Sequence, residues 1–285
     1  MISQVHWFPG HMKKALQEIE ERLKVIDVVI ELIDARAPLS SINPQLEKTI
    51  KNKKRILILT KIDLADPAKN DFWVAYLKKQ YDVVLSLDLT LPSASKAIEK
   101  SITMLGQDKW AKEKAKGMKP QPIRTMIIGV PNVGKSSLIN RLARRKAAGV
   151  QNKPGFTRGE QWINVSKDFL LLDTPGILPM NYDDQKKSIN LALVGSVRED
   201  ILPNNLLVNN LLDFLKTNYP SALQSRFKID NIGQNEEVLQ NICKQRSLVD
   251  SFGKPDLLRA ETLLLKEFKD GLLGRITLDI GKDVT

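Results

Sequence analysis

The segment Gly129-Val130-Pro131-Asn132-Val133-Gly134-Lys135-Ser136 constrains this chain more than any other stretch. It matches Gly-x-x-x-x-Gly-Lys-Ser/Thr, follows the apolar run Met126-Ile127-Ile128 and precedes a helical segment starting near Lys135. Such a loop works only between a buried strand and a helix N-terminus. The glycines let backbone N–H groups curl around a phosphate, and the helix end adds partial positive charge. A strand–loop–helix unit is therefore required here, which commits the surrounding chain to a layered α/β fold.

The neighbouring pattern agrees. Short apolar runs at 28–33, 55–59, 83–87 and 125–128, each bounded by polar loops, read as buried parallel strands. Helical spacing between them is expected at 13–25, where Leu16, Ile19 and Leu23 share a face, and at 43–51 and 69–80. Two further strands are expected at 162–165 and 169–172, and the Lys-rich stretch 109–122 reads as a helix and linker. Beyond about Asp183 strand signals fade, and Leu206/Leu207/Leu211/Leu212/Leu215 and Leu257/Leu258/Leu263/Leu264/Phe268 repeat at helical spacing. A length of 285 residues favours two domains. The expected division is an α/β domain over 1–180 with a doubly wound, mostly parallel sheet, and a small all-helical domain over 181–285.

Composition narrows the function classes. A hydrophobic share of 42% with 27% charged residues is that of a soluble globular protein, and the balance of 44 Lys plus Arg against 33 Asp plus Glu, +11, suits a polyanionic partner. The single cysteine, Cys243, excludes an intramolecular disulfide and reads as a small buried apolar residue in a reducing compartment. The N-terminus lacks a charged-then-apolar signal pattern, and the apolar run 25–33 is interrupted by Asp27 and Glu31, so neither export nor a membrane span is expected.

Within the loop, Asn132, Val133, Gly134, Lys135, Ser136 and Ser137 form the expected phosphate-binding set. Lys135 would bridge β- and γ-phosphate oxygens, and the Ser136 hydroxyl would ligate Mg²⁺. Some 40 residues later comes Asp173-Thr174-Pro175-Gly176. There Asp173 would hold the Mg²⁺ shell and the Gly176 N–H would meet the γ-phosphate. Thr157 lies between these motifs and is the natural switch threonine for Mg²⁺ and γ-phosphate.

Base recognition falls to Thr60-Lys61-Ile62-Asp63, after the run 55–59. Asp63 can accept from the N1–H and N2–H₂ of guanine, a donor pair that adenine lacks, while Lys61 would lay its alkyl stem over the ring. Thr60 stands where GTPases usually carry Asn, so weaker nucleotide binding with retained guanine preference is expected. Order and spacing place the remaining base contact at Asp88 and Leu89, without the usual small residue.

The base-reading box thus precedes the phosphate loop, which precedes Asp-x-x-Gly, and this order characterises circularly permuted GTPases. Trp7-Phe8-Pro9-Gly10-His11-Met12, Asp34-Ala35-Arg36 and Pro131–Ser136, continued by Leu191–Gly195, Pro255–Ala260 and Phe268–Gly274, resemble the ribosome biogenesis GTPase A family over essentially the full chain. The resemblance implies a cytoplasmic GTPase that binds GTP/GDP and Mg²⁺ and acts on a late precursor of the large ribosomal subunit. It would contact rRNA partly through the C-terminal helices, with neither membrane nor DNA as partner. The order of the motifs itself runs the γ-phosphate sensor after Gly176 directly into the expected helical part, so hydrolysis can reorient that part.

Many GTPases follow Asp-x-x-Gly with a water-orienting glutamine, but here that residue is Ile177, which cannot polarise water. Of the two histidines, His6 and His11, the resemblance favours His11 as the water-positioning group, an imidazole able to accept a proton at working pH. Asn132 resembles the asparagine that holds K⁺ beside the phosphates in potassium-activated GTPases. Competing classes are a signalling or trafficking GTPase, or an RNA-binding protein using nucleotide as structural support. An ATPase is disfavoured by Asp63. The densest basic runs, 109–119 and 141–146, suit either rRNA phosphates or a solvated helix face.

Overall fold

The computed structural model describes residues 9–144, 162–174, 184–197, 201–229 and 233–281. Six strands, β1 (Val28–Asp34), β2 (Lys54–Thr60), β3 (Val83–Ser86), β4 (Ile123–Gly129), β5 (Trp162–Asn164) and β6 (Phe169–Asp173), form one sheet in the order β3-β2-β1-β4-β6-β5. Every pairing is parallel except β5 with β6. β1, Val-Val-Ile-Glu-Leu-Ile-Asp, is buried along its whole length, as a central strand covered on both faces must be.

Register brings the C-terminal ends of the strands to one edge. Asp34 pairs with Thr60, Leu32 with Gly129, and Ile127 with Asp173. The chain runs outward from β1 to β2 and β3 on one side, while β4 leads to β6 and β5 on the other. The switch in direction lies between β1 and β4, where open α/β sheets form their ligand crevice.

Helices start where proline permits. α2 (Pro38–Ser41), α3 (Pro44–Ile50), α4 (Pro67–Leu77) and α5 (Pro92–Ala115) each open on proline, whose missing N–H costs nothing in a first turn. Asn43 and Asp66 cap α3 and α4 through side-chain oxygens that accept from the following backbone N–H groups. α5 extends much further back than the expected 109–122 helix. Gly106 masks this in the sequence, yet its role is close packing: a Cβ there would lie 2.1 Å from Ile123 Cδ1.

One face of the sheet packs Ile19 and Leu23 of α1 (Pro9–Leu23) and Leu46 and Ile50 of α3 against Val29, Met126, Ile128 and Leu172. The other packs Ile98 and Ile102 of α5 and Leu138 and Leu142 of α6 (Lys135–Arg144) against Ile30, Leu32 and Ile127. This second core continues without a break into α7 (Gln185–Leu193), α8 (Asn204–Asn218), α9 (Pro220–Phe227), α10 (Asn235–Arg246) and α11 (Leu257–Lys269). Leu207, Leu211, Leu212 and Leu215 lie inside α8 as their spacing requires, but Leu258, expected on the apolar face of α11, is 75% exposed. Cys243 is buried and unpaired. Among the described residues no helix is long and apolar enough to cross a membrane.

Glu31 is the one acid placed mid-strand in β1, 1% exposed, and it accepts a hydrogen bond from Tyr81 Oη at 2.9 Å. Burial pushes its carboxyl up to about 7 against the lowering effect of Tyr81. A carboxyl that ionises later in the folded chain than in the unfolded one favours folding below pH 4.5 and loses that contribution as pH rises through 7. Glu31→Gln is therefore expected to be roughly 3 kcal/mol more favourable relative to the parent at pH 8 than at pH 4.5. Urea midpoints at the two pH values check this; a gap that does not change with pH would refute it.

Candidate nucleotide site

The phosphate loop leaves β4 through Gly129, whose φ of 150° and lack of Cβ are both required: a Cβ would sit 2.5 Å from Leu32 O of the neighbouring strand. Asn132 adopts φ 57° and Gly134 φ 107°, winding the loop before α6 begins at Lys135. Lys135 is nearly buried, and its Nζ donates to Gly129 O and Val130 O at 3.0 Å each. The ammonium is thus held inside the loop's own curve, where a phosphate would meet it. Ser136 and Ser137 are exposed in the first turn of α6. That geometry suits an anion at the helix N-terminus and an oxygen-preferring cation at Ser136.

Register sets the base-reading box beside this loop. Thr60, the last residue of β2, is buried, and its hydroxyl lies 2.8 Å from Val133 O and 3.0 Å from Ile33 O, tying the ends of β1 and β2 to the phosphate loop. Lys61 turns the chain at φ 55° and pairs with Asp34 Oδ2 at 3.0 Å. Asp63 is exposed, and its carboxylate forms no hydrogen bond or ion pair among the described residues. Leu89 comes against the phosphate loop: its Cδ1 is 3.2 Å from where a Cβ on Gly134 would be. Asp88 has a local role, accepting from Thr90 N and Thr90 Oγ1 at 2.7 Å each. Leu89, Thr90, Ser137, Asn140 and Arg141 line part of a cavity of about 680 Å³ between these segments.

Two residues of the string Asp34-Ala35-Arg36 show their part in the site only in three dimensions. Asp34 ends β1 fully buried; burial would raise its carboxyl, but the hydrogen bonds and charge of Arg36, with Lys61, hold it below the usual carboxylate range. Arg36 donates to Asp34 Oδ1 and Oδ2 at 3.0 and 2.8 Å, to Val194 O after α7 at 2.9 Å and to Lys269 O at the end of α11 at 3.1 Å. One guanidinium therefore joins the sheet edge to two helix C-termini, whose carbonyls carry partial negative charge. Asn132 Nδ2 donates to Gly195 O at 2.8 Å, so the phosphate loop grips the same turn after α7.

Other expected site residues are placed only in part. The backbone puts Asp173 at the end of β6, in register with Ile127, and His11 in the first turn of α1. The side chains of both lie outside the described residues, as do His6, Thr157, Gly176 and Ile177. Thr174 follows β6, and its hydroxyl donates to Ile127 O at 2.5 Å, anchoring the start of that segment to β4.

A phosphate loop after a central strand, a Thr-Lys-x-Asp box after the strand two places away, and Asp-x-x-Gly after the strand on the far side define a circularly permuted P-loop GTPase. The family model "50S ribosome-binding GTPase" matches residues 124–246. The chain is 39% identical to ribosome biogenesis GTPase A of Bacillus cereus, over 96% of this chain and 93% of that one. It is 30% identical to the protein of the same name from Thermotoga maritima, over 98% and 95%. The GDP-bound structure of YlqF superposes with a TM-score of 0.68 at 26% identity, covering 93% of this chain and all of that one. GNP-bound YlqF from T. maritima gives 0.65. The chain belongs to the ribosome biogenesis GTPase A family, and it is a guanine-nucleotide-binding enzyme that hydrolyses GTP.

Proposed function

We propose that this GTPase is a cytoplasmic assembly factor acting on a late precursor of the large ribosomal subunit, and that its nucleotide state sets its grip on the particle and its rRNA. The observation that carries the coupling is the shared turn after α7. Asn132 of the phosphate loop holds Gly195 O, and Arg36, joined to the base-box Lys61 through Asp34, holds the adjacent Val194 O. A movement at either end of the nucleotide site is thereby transmitted to the helical part over 181–285. The balance of +11 suits an RNA partner.

Within the site, Lys135 and the loop N–H groups bind the β- and γ-phosphates, Asp63 accepts from guanine, and Leu89 closes the base side. Ser136, Thr157 and Asp173 would hold Mg²⁺, which when bound would supply positive charge beside the transferred phosphoryl group. The Asn132 amide nitrogen is engaged by Gly195 O, which leaves its oxygen as an acceptor for K⁺. His11 orients the attacking water, the task for which Ile177 is unsuited.

Cosedimentation with large ribosomal subunits, in GDP and in a non-hydrolysable GTP analogue, tests the reading. At least tenfold tighter association in the GTP-like state is expected, with particle-stimulated turnover faster in KCl than in NaCl of equal ionic strength. Equal binding in both nucleotides refutes the coupling, and equal turnover in both salts refutes the K⁺ role.

A further inference from the structure

The loop that carries Asp63 is held from outside the sheet, by a segment more than two hundred residues away. Arg275 Nε donates to Ala65 O at 2.8 Å and its Nη2 to Ile62 O at 2.7 Å. Ile276 N donates to Leu64 O at 3.0 Å, and Asp66 N donates to Thr277 Oγ1 at 3.1 Å. Three carbonyls and one N–H of residues 62–66 are thus taken by three consecutive residues of the C-terminal segment. Gly271 completes the fit, since a Cβ there would come 2.5 Å from Leu64 Cδ2. The next residue, Leu278, donates its N–H to Arg36 O at 2.7 Å, so the segment also steadies the group behind Lys61.

Asp63 itself lies between two of these gripped residues, yet its carboxylate is exposed and engages none of the other described side chains. That is the arrangement of a recognition group whose backbone is fixed and whose polar atoms are kept for a ligand. A carboxylate that must meet two donors on one base edge tolerates little displacement, because hydrogen bonds weaken steeply away from their preferred distance and angle. The loop's own backbone bonds, Leu64 N to Lys61 O at 3.0 Å and Ala65 N to Ile62 O at 3.4 Å, close its turn, and the contacts from residues 275–277 fix that turn against the rest of the fold.

We propose that residues 271–278 act as a strap that positions the guanine-reading loop, with Arg275 as its principal positioning residue. The inference rests on the reading of Asp63 as the guanine acceptor. The strap sets how well the protein distinguishes guanine from a purine lacking the 2-amino group, and it makes nucleotide affinity sensitive to whatever moves the helical part.

The test is equilibrium binding of GDP and IDP to the full-length protein. Arg275→Ala is expected to weaken GDP about tenfold while IDP changes by less than threefold, so the preference for guanine contracts. Arg275→Lys, which can still reach one carbonyl, restores part of it. Thr277→Val keeps the shape and removes the acceptor for Asp66 N, together with the hydroxyl's own bond to Ala35 O at 3.3 Å, and it contracts the preference in the same direction if Arg275→Ala proves poorly folded. Asp63→Asn is measured alongside with XDP. If it shifts preference toward xanthine while both strap variants keep the parent GDP to IDP ratio, the strap is overturned and base reading stands. If it produces no shift, the assignment of Asp63 fails and the strap's role with it.

Discussion

Lys135→Ala lowers GTP turnover by about 10²- to 10³-fold, the scale on which a preorganised charge at the transferring phosphoryl group acts. The expectation follows from the placement of Nζ, already held in the loop's curve by Gly129 O and Val130 O before any phosphate arrives. Little reorganisation is needed at the moment of reaction, so the charge is used where it counts. Gly129 and Val130 are buried, so removing the ammonium also takes a donor from two buried carbonyls and is expected to cost some stability. Single-turnover hydrolysis with saturating GTP, beside a urea melt, separates the effects. A turnover within tenfold of the parent in a folded variant would remove Lys135 from the catalytic set.

Arg36→Ala is expected to cost 3–5 kcal/mol of folding free energy, roughly the cost of breaking a buried ion pair by deleting one partner. Asp34 stays fully buried with only Lys61 to balance it, and the carbonyls of Val194 and Lys269 lose their shared donor. Lysine cannot replace the arginine, because one ammonium has neither the reach nor the planar fork that meets a carboxylate and two carbonyls together. The urea midpoint measures the loss; a cost under about 1 kcal/mol would show that the helical part is held mainly by its apolar core.

The two variants also separate what could be read along the chain from what could not. Lys135 was legible because its loop, strand and helix are contiguous, and the parallel strands because each is a short apolar run ending in a polar turn. Arg36 stands in a visible string, Asp34-Ala35-Arg36, but its other partners are backbone carbonyls 158 and 233 positions away, and a carbonyl carries no sequence signature. The strap is hidden for the same reason: residues 275–278 act through N–H, hydroxyl and guanidinium groups on main-chain partners. α5 was underestimated because a glycine inside a helical pattern reads as a break, whereas Gly106 is there to admit Ile123. Leu258 shows the converse, a leucine at helical spacing that is left 75% exposed. The division at 180/181 follows from the loss of strand signal, but the apolar core runs from the sheet into α11, so helical content and packing unit do not share a boundary.

The strap bears on how the protein is made. Arg275 leaves the ribosome's peptidyl-transfer centre 213 residues after Ile62, the partner it must hold. At ordinary elongation rates that is a delay of roughly 10–40 s. β1 to β4 and the phosphate loop can assemble during that interval, with the base-reading loop still open on its outer side. A nascent chain would therefore grip phosphates before it can judge the base attached to them, and selective GTP binding would have to wait for the strap.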